Sequence, residues 1–235
     1  MVLGSYYLTL EIAGAKGEGK VFRDVKEARL AYDSGVIDLH ARIKVRFTKE
    51  VDGVKKSKII ETTLGKIIFN DPVPQDLGFV DRSNPDKEFD LEIAFVTKKK
   101  ELGQIIDRCI KYHGFEVTSE MLDNIKDMGY KYSTKSSLSI SVYDMTIPPE
   151  KAGLLEAAEQ KVDIITDFYR KGLLSDEERS QRVVSVWDEC TKDVATALQK
   201  NLDKYNPINM MAVSGARGSI KQIRQLAGMR GLMAS

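Results

Sequence analysis

Apolar residues recur along this chain with two different periods, and the switch between them marks out its parts. The opening run, MVLGSYYLTLEIAG, is apolar without a basic flank and reads as a core segment. Residues 24–34, DVKEARLAYDS, predict a helix with Asp24 as N-cap and Gly35 where a C′ glycine belongs. Leu39, Ala41, Ile43, Val45 and Phe47 then alternate with polar residues, the period of a half-buried strand. Val51-Asp52-Gly53-Val54 supplies an Asp-Gly hairpin turn, after which KSKIIETTLGKIIFND returns as one or two further strands. Residues 70–88 hold Pro72, Pro74, Gly78 and Pro85 and predict an irregular loop.

Helical spacing takes over next. Over 98–113, Leu102, Ile105, Ile106, Cys109 and Ile110 share one face, and Gly114 stops the helix. Thr118-Ser119-Glu120 opens a shorter helix that Gly129 closes, and Leu138, Ile140 and Val142 read as a short strand before Pro148-Pro149. The most regular pattern follows. Leu155, Ala158, Val162, Ile165 and Tyr169 fall at spacings of three and four, as do Val183, Trp187, Cys190, Val194 and Ala197. Gly172 ends the first arm, and Ser175 with Glu178 forms a capping box for the second. So short a loop makes the arms antiparallel neighbours, each roughly 30 Å long at 1.5 Å per residue. The pair is either a plain packed hairpin or an arm that presents its tip to a partner.

The expected fold class is therefore α+β: a mixed strand-and-helix part, then an antiparallel coiled-coil-like helix pair. Segments of 1–138, 139–205 and 206–235 divide the chain, with no internal repeat and no flexible linker between them. With 235 residues, 42% hydrophobic, the chain can bury a core, and 30% charged residues suit a solvated surface. A net charge of +1 leaves nucleic-acid binding to a local patch, not to bulk electrostatics. No run has the length of a membrane span, so no membrane partner is expected.

Candidate chemistry is sparse. Cys109 and Cys190 match no metal-ligand spacing, and the Cys109/His113 interval reads as packing, so no disulfide and no metal site are expected, and the thiols suit a cytoplasmic protein. No nucleophile elbow, HExxH or phosphate-loop motif occurs, and the aspartates never cluster as a two-metal site would need. No catalytic residue is expected in this chain.

The C-terminal run stands out. From Lys204 onward there is no acidic residue, while Arg217, Lys221, Arg224 and Arg230 are cationic. Gly215-Ala216-Arg217-Gly218 and Gly228-Met229-Arg230-Gly231 both have the GxxG form. Such glycines mark either a structural turn or, as in a KH module, a loop that lets backbone approach a nucleic-acid strand, which leaves a self-contained RNA-binding module as an alternative reading. Between them SIKQIRQLA is helix-like, and Arg217 lies just before a start suited to an anion such as a triphosphate.

Here the residues also carry a resemblance. NMMA at 209–212, SGARGS at 214–219 and QIRQLAGMRGLMA at 222–234 closely resemble the largest subunit (β′) family of bacterial DNA-dependent RNA polymerase. So do MVLGSYYLT, VIDLHARIKVR, ETTLGKIIFN, SISVYDMTIPPEK, GLLSDEER and VWDECT, in the family's order and over essentially the whole chain. The resemblance implies an internal piece of a longer subunit, inactive alone. The family's aspartate-rich loop for the catalytic Mg2+ would lie before it, and the bridge helix and trigger loop after it.

By that resemblance 1–138 corresponds to the pore domain, 139–205 to the funnel domain with its rim helices, and 206–235 to the F-loop. Together these would line the secondary channel for nucleotide entry. The implied partners are the other polymerase subunits, the rest of β′, secondary-channel factors and, transiently, a nucleoside triphosphate; nucleic acid would be met only in the full enzyme. Arg170, Lys171, Glu177, Glu178, Arg179 and Arg182 at the hairpin tip would touch factors. Arg217 would reach the triphosphate, and Met210, Met211, Ser214, Gly215, Gly218, Gln222, Arg224 and Arg230 would support the F-loop. The sequence departs from the family pattern at Val213, Tyr143 and Ser137-Leu138, which bears on local charge and turns.

Overall fold

The N-terminal apolar run folds as a helix, α1 (Val2–Thr9), with Leu8 and Thr9 wholly buried, in a computed structural model that describes residues 1–51 and 54–233. β1 (Val21–Phe22), α2 (Val25–Asp33), β2 (Arg42–Val51), β3 (Val54–Thr63), α3 (Leu64–Asn70) and α4 (Lys99–Ser136) complete the first of two compact units, Met1–Leu138 with Ser214–Ala216. The sheet has the order β1-β2-β3, with β1 parallel to β2 and β2 antiparallel to β3 from Arg42↔Thr63 to Val51↔Val54. The proposed turn residues Asp52 and Gly53 lie outside the described residues.

Local chemistry explains most of these elements. Asp24 caps α2 by accepting from the Glu27 N–H at 2.8 Å. On β2, Ile43 and Val45 are buried while Arg42, Lys44 and Arg46 face solvent, as period-two alternation requires. The strand begins only at Arg42; Leu39 and Ala41 are buried in the turn before it.

Three expectations are corrected. LGKIIFN is the helix α3 and not a strand: Thr63 Oγ1 accepts the Lys66 N–H at 3.2 Å and starts it. A short apolar run cannot by itself separate strand from buried helix. Gly129 does not close a helix. It lies inside α4, which breaks at Gly114 (φ 76°, ψ −173°) and then continues to Ser136. Thr118 is no cap either, because its hydroxyl donates back to the Gly114 carbonyl at 2.6 Å. What Gly129 provides is a close approach: a methyl on Gly4 of α1 would overlap the Gly129 carbonyl oxygen. Residues 138–142 form no strand; Ile140 and Val142 are 57% and 87% exposed, and Val142–Asp144 is a 3-10 turn. Three alternating residues without a partner strand carry too little pairing energy to hold an extended conformation.

The proline-containing loop after α3 is held by polar side chains. Asn70 bonds the backbone of Ile93 through both its amide nitrogen and its oxygen, each at 2.9 Å. The Glu92 side chain is fully buried; it accepts from the Phe79 N–H and pairs with Arg82 at 3.1 Å. One continuous apolar cluster, from Leu8 through Ile43, Leu64, Phe69 and Ile105 to Ile125, fills this unit.

The second unit, Ser139–Val213 with Arg217–Ser235, is helical among its described residues: α5 (Lys151–Arg170), α6 (Asp176–Asn201), α7 (Pro207–Ser214, its last residue grouped with the first unit) and α8 (Ile220–Ala227). α5 and α6 form the expected hairpin. Its seam is buried at Ala158, Cys190 and Val194, whereas nearer the tip Ile165 and Val183 are only partly covered and Tyr169 is exposed. Leu198, Ile208, Ile223 and Ala227 make a second small cluster where α6, α7 and α8 meet. Mixed strands and helices followed by a helix pair make the chain α+β, as the sequence pattern indicated.

Candidate functional site

The hairpin tip is built by two backbone devices. Gly172, at φ 74°, reverses the chain after α5, and its N–H returns to the Tyr169 carbonyl at 2.9 Å. Ser175 then opens α6 with a full capping box: Glu178 N–H donates to Ser175 Oγ at 3.2 Å, and Ser175 N–H donates to the Glu178 carboxylate at 3.0 Å. That backbone donor, ahead of the Ser175 hydroxyl, holds the Glu178 carboxyl below its ordinary range. Arg179 donates to Asp176 at 2.7 Å while its guanidinium lies 4.9 Å from the Tyr169 ring centroid, tying the start of α6 to the end of α5.

The six tip residues named from sequence therefore divide. Glu178 and Arg179 are engaged within the tip, and Arg170 lies 3.6 Å from Asp167. Lys171, Glu177 and Arg182 project into solvent. Sequence reasoning missed an apolar set beside them: Ile164, Phe168, Leu173 and Val184 are all exposed on the hairpin. Their signal is that they are large apolar residues off the seam spacing.

The C-terminal run makes a different surface. Ser219 caps α8 by accepting the Gln222 N–H, and Gly215 and Gly218 both sit at positive φ in the loop before it. Exposed Arg217 donates its N–H to the Met211 carbonyl at 3.2 Å. Met211, Arg217, Gly218 and Gln222 line one groove of about 440 Å³, together with Ile140, Met145 and Leu226, which sequence reasoning did not select. The other named residues lie elsewhere. Met210 and Ser214 are buried, Gly215 groups with the first unit, Arg224 has its Nε shielded from solvent, and Arg230 is exposed. Among the described residues none of Arg217, Lys221, Arg224 and Arg230 forms an ion pair, so the surface is cationic beside an apolar floor.

The first GxxG does lie between two helices, α7 and α8, but all three described strands belong to the first unit, so the sheet of a KH module has no counterpart in the second. His113 hydrogen-bonds Asp76 at 2.6 Å, and Cys109 and Cys190 are buried free thiols. Among the described residues no three His, Cys, Asp or Glu side chains converge to hold an ion, and no helix is long and apolar enough to cross a membrane.

Residues 1–145 match the family model described as RNA polymerase Rpb1, domain 3, and residues 163–235 match RNA polymerase Rpb1, domain 4. The chain belongs to the largest-subunit family of RNA polymerase. Relatives named DNA-directed RNA polymerase subunit β′ from Acetivibrio thermocellus and Clostridium novyi are each 58% identical to it, over 234 and 235 residues. One from Thermoanaerobacter pseudethanolicus is 57% identical over 234 residues. In each case all of this chain is covered and 20% of the relative, so the chain spans about a fifth of the length of the curated relatives it matches. Within this family the hairpin lies across the gap between the two matched models and into the second, and the cationic C-terminal run falls wholly in the second.

Proposed function

We propose that this chain acts as part of a β′ subunit in template-directed RNA synthesis, lining the secondary channel through which nucleotides enter. In this reading 1–138 is the pore domain, 139–205 the funnel domain and 206–235 the F-loop. The nucleotidyl transfer belongs to the assembled polymerase, and the chain by itself is inactive. In this reading the family's Mg2+ would be held by residues outside this chain.

The observation that carries the reading, given the family, is the placing of Arg217. It is exposed, free of any carboxylate, and stands at the edge of an apolar groove just ahead of the capped start of α8. An unpaired guanidinium there suits phosphate oxygens, and the α8 N-terminus adds its partial positive charge. Its work would be electrostatic: holding the triphosphate of the incoming nucleotide as charge develops on the leaving oxygens. The apolar groove would seat a neighbouring polymerase element over Met211, Ile223 and Leu226. The hairpin serves separately as a docking arm for transcript-cleavage and related factors, supported by its length and by the charges of Lys171, Glu177 and Arg182 at its tip.

Arg217→Ala in an assembled polymerase tests the first role by stopped-flow single-nucleotide addition. The rate should fall by about 100-fold or more, in line with losing one donor to a developing anion, while assembly is unchanged. Unchanged addition kinetics would remove Arg217 from the site.

A further inference from the structure

The alternation of β2 carries a conflict at its end. Ile43, Val45 and Phe47 face inward, and the next inward position is Lys49. A cation on the core face needs a counter-charge or it is costly. Lys49 has none within ion-pair distance among the described residues. Its Nζ donates to the Glu88 carbonyl at 3.1 Å, and that same oxygen accepts Arg82 Nη1 at 2.8 Å. Two cations therefore share one neutral acceptor. Arg82 is compensated by the buried Glu92 carboxylate and by the Gln75 carbonyl at 2.8 Å. Lys49 is not. Across the ladder its partner is another lysine, Lys56.

Beside the amine lies a pocket of about 180 Å³ lined on one hand by Val25, Phe47, Ile67, Phe89 and Leu91 and on the other by Asn70, Gln75 and Asp71, the last already paired to Arg29. The Phe89 ring centroid is 5.8 Å from Nζ. Burial first, and Arg82 second, push the Lys49 ammonium below its ordinary range, against the opposing pull of Glu88, Asp90 and Glu92. A lysine that is partly desolvated and beside another cation holds more of its amine in the neutral, nucleophilic form than a fully solvated lysine does.

We propose that Lys49 is a site of Nε-acylation by small activated acyl groups, acyl phosphates or acyl thioesters. The neutral amine attacks the acyl carbonyl carbon and a new C–N bond forms. The bond to phosphate oxygen or thiol sulfur breaks with its electron pair, and the proton released from nitrogen passes to solvent. The product suits its surroundings better than the ammonium does. The amide keeps one N–H for the Glu88 carbonyl, the charge beside Arg82 is removed, and the short acyl chain has the apolar side chains of Phe47, Phe89 and Leu91 in the pocket to pack against. This inference does not depend on the polymerase reading.

Incubating the full chain at neutral pH with acetyl phosphate, and in parallel with acetyl-CoA, tests it, with occupancy at each lysine followed by peptide mass spectrometry. Lys49 should acquire acetyl on the order of threefold or more faster than the exposed Lys100 and Lys200, and lose that lead in concentrated urea. Arg82→Met should narrow the lead. Because that change leaves Glu92 buried and unpaired, the urea comparison on the unaltered chain stands as the independent control. A lead with acetyl phosphate alone names the acyl phosphate as donor, and a lead with both admits either. Acetylation of folded Lys49 no faster than that of Lys100 and Lys200, from both donors, overturns the proposal.

Discussion

The two units of this chain bury their side chains in opposite ways. The first closes around one cluster that draws on α1, the sheet, α3 and α4, and it tolerates a close approach of backbones at Gly4 and Gly129. Among the described residues the second has two small clusters, one in the hairpin seam and one where α6, α7 and α8 meet; it leaves Ile164 and Leu173 in solvent, as the first leaves Leu30 and Phe115, but has no large cluster beneath them. A unit built the first way is a wall, stable through its interior. A unit built the second way puts its sequence into surface, and its stability rests on local caps and a narrow seam.

The largest effect should come from the wall. Gly4→Ala drives a methyl into the Gly129 carbonyl, and should cost the first unit about 3 kcal/mol or more in urea unfolding. Ile43→Ala, wholly buried on β2, should cost a similar amount, about 3–4 kcal/mol, through the cavity it leaves. Val194→Ala in the hairpin seam should cost less, about 1–2 kcal/mol, because fewer atoms are removed and the thin seam can settle inward. Equal costs for Ile43→Ala and Val194→Ala, measured by chemical denaturation with probes in each unit, would erase the contrast.

Smaller again is Ser175→Ala, which removes the capping box at the tip and should lower hairpin stability by about 1 kcal/mol without touching the first unit. The least is a pH effect confined to the wall. Burial pushes the His40 imidazole below its ordinary range, while its Nε2 donates to the Tyr7 carbonyl at 2.7 Å. The unfolded chain then binds the proton more readily, so stability is flat above the ordinary histidine range and falls as pH drops from there toward the folded value. His40→Gln should flatten that slope, read as the urea midpoint against pH; an unchanged slope would place the acid sensitivity elsewhere.

Much of this was legible because it is local. Asp24, Gly114 and the Ser175/Glu178 box each act within four residues of chain, and each does in the fold what its spacing announced. Gly129 was misread because its partner, Gly4, comes from the far end of the unit, and a glycine that stops a helix looks the same in sequence as one that admits a neighbour. LGKIIFN was misread because a seven-residue helix is too short to show its period: Lys66 and Asn70, four apart, are its two polar residues, and both are buried. At the candidate sites the charged residues were selected by type. The apolar groove residues Ile140 and Met145 were not, since only tertiary folding brings them beside Arg217.

The contrast between wall and arm is tested most directly by binding at the tip. Lys171→Glu with Arg182→Glu, placed together in an assembled polymerase, reverses two projecting charges and leaves the Ser175 and Arg179 contacts in place. Titration with a labelled transcript-cleavage factor should then show affinity reduced by about tenfold or more, with single-nucleotide addition unchanged. Undiminished affinity, or a loss of nucleotide addition in its place, would contradict the assignment of the hairpin as a docking arm.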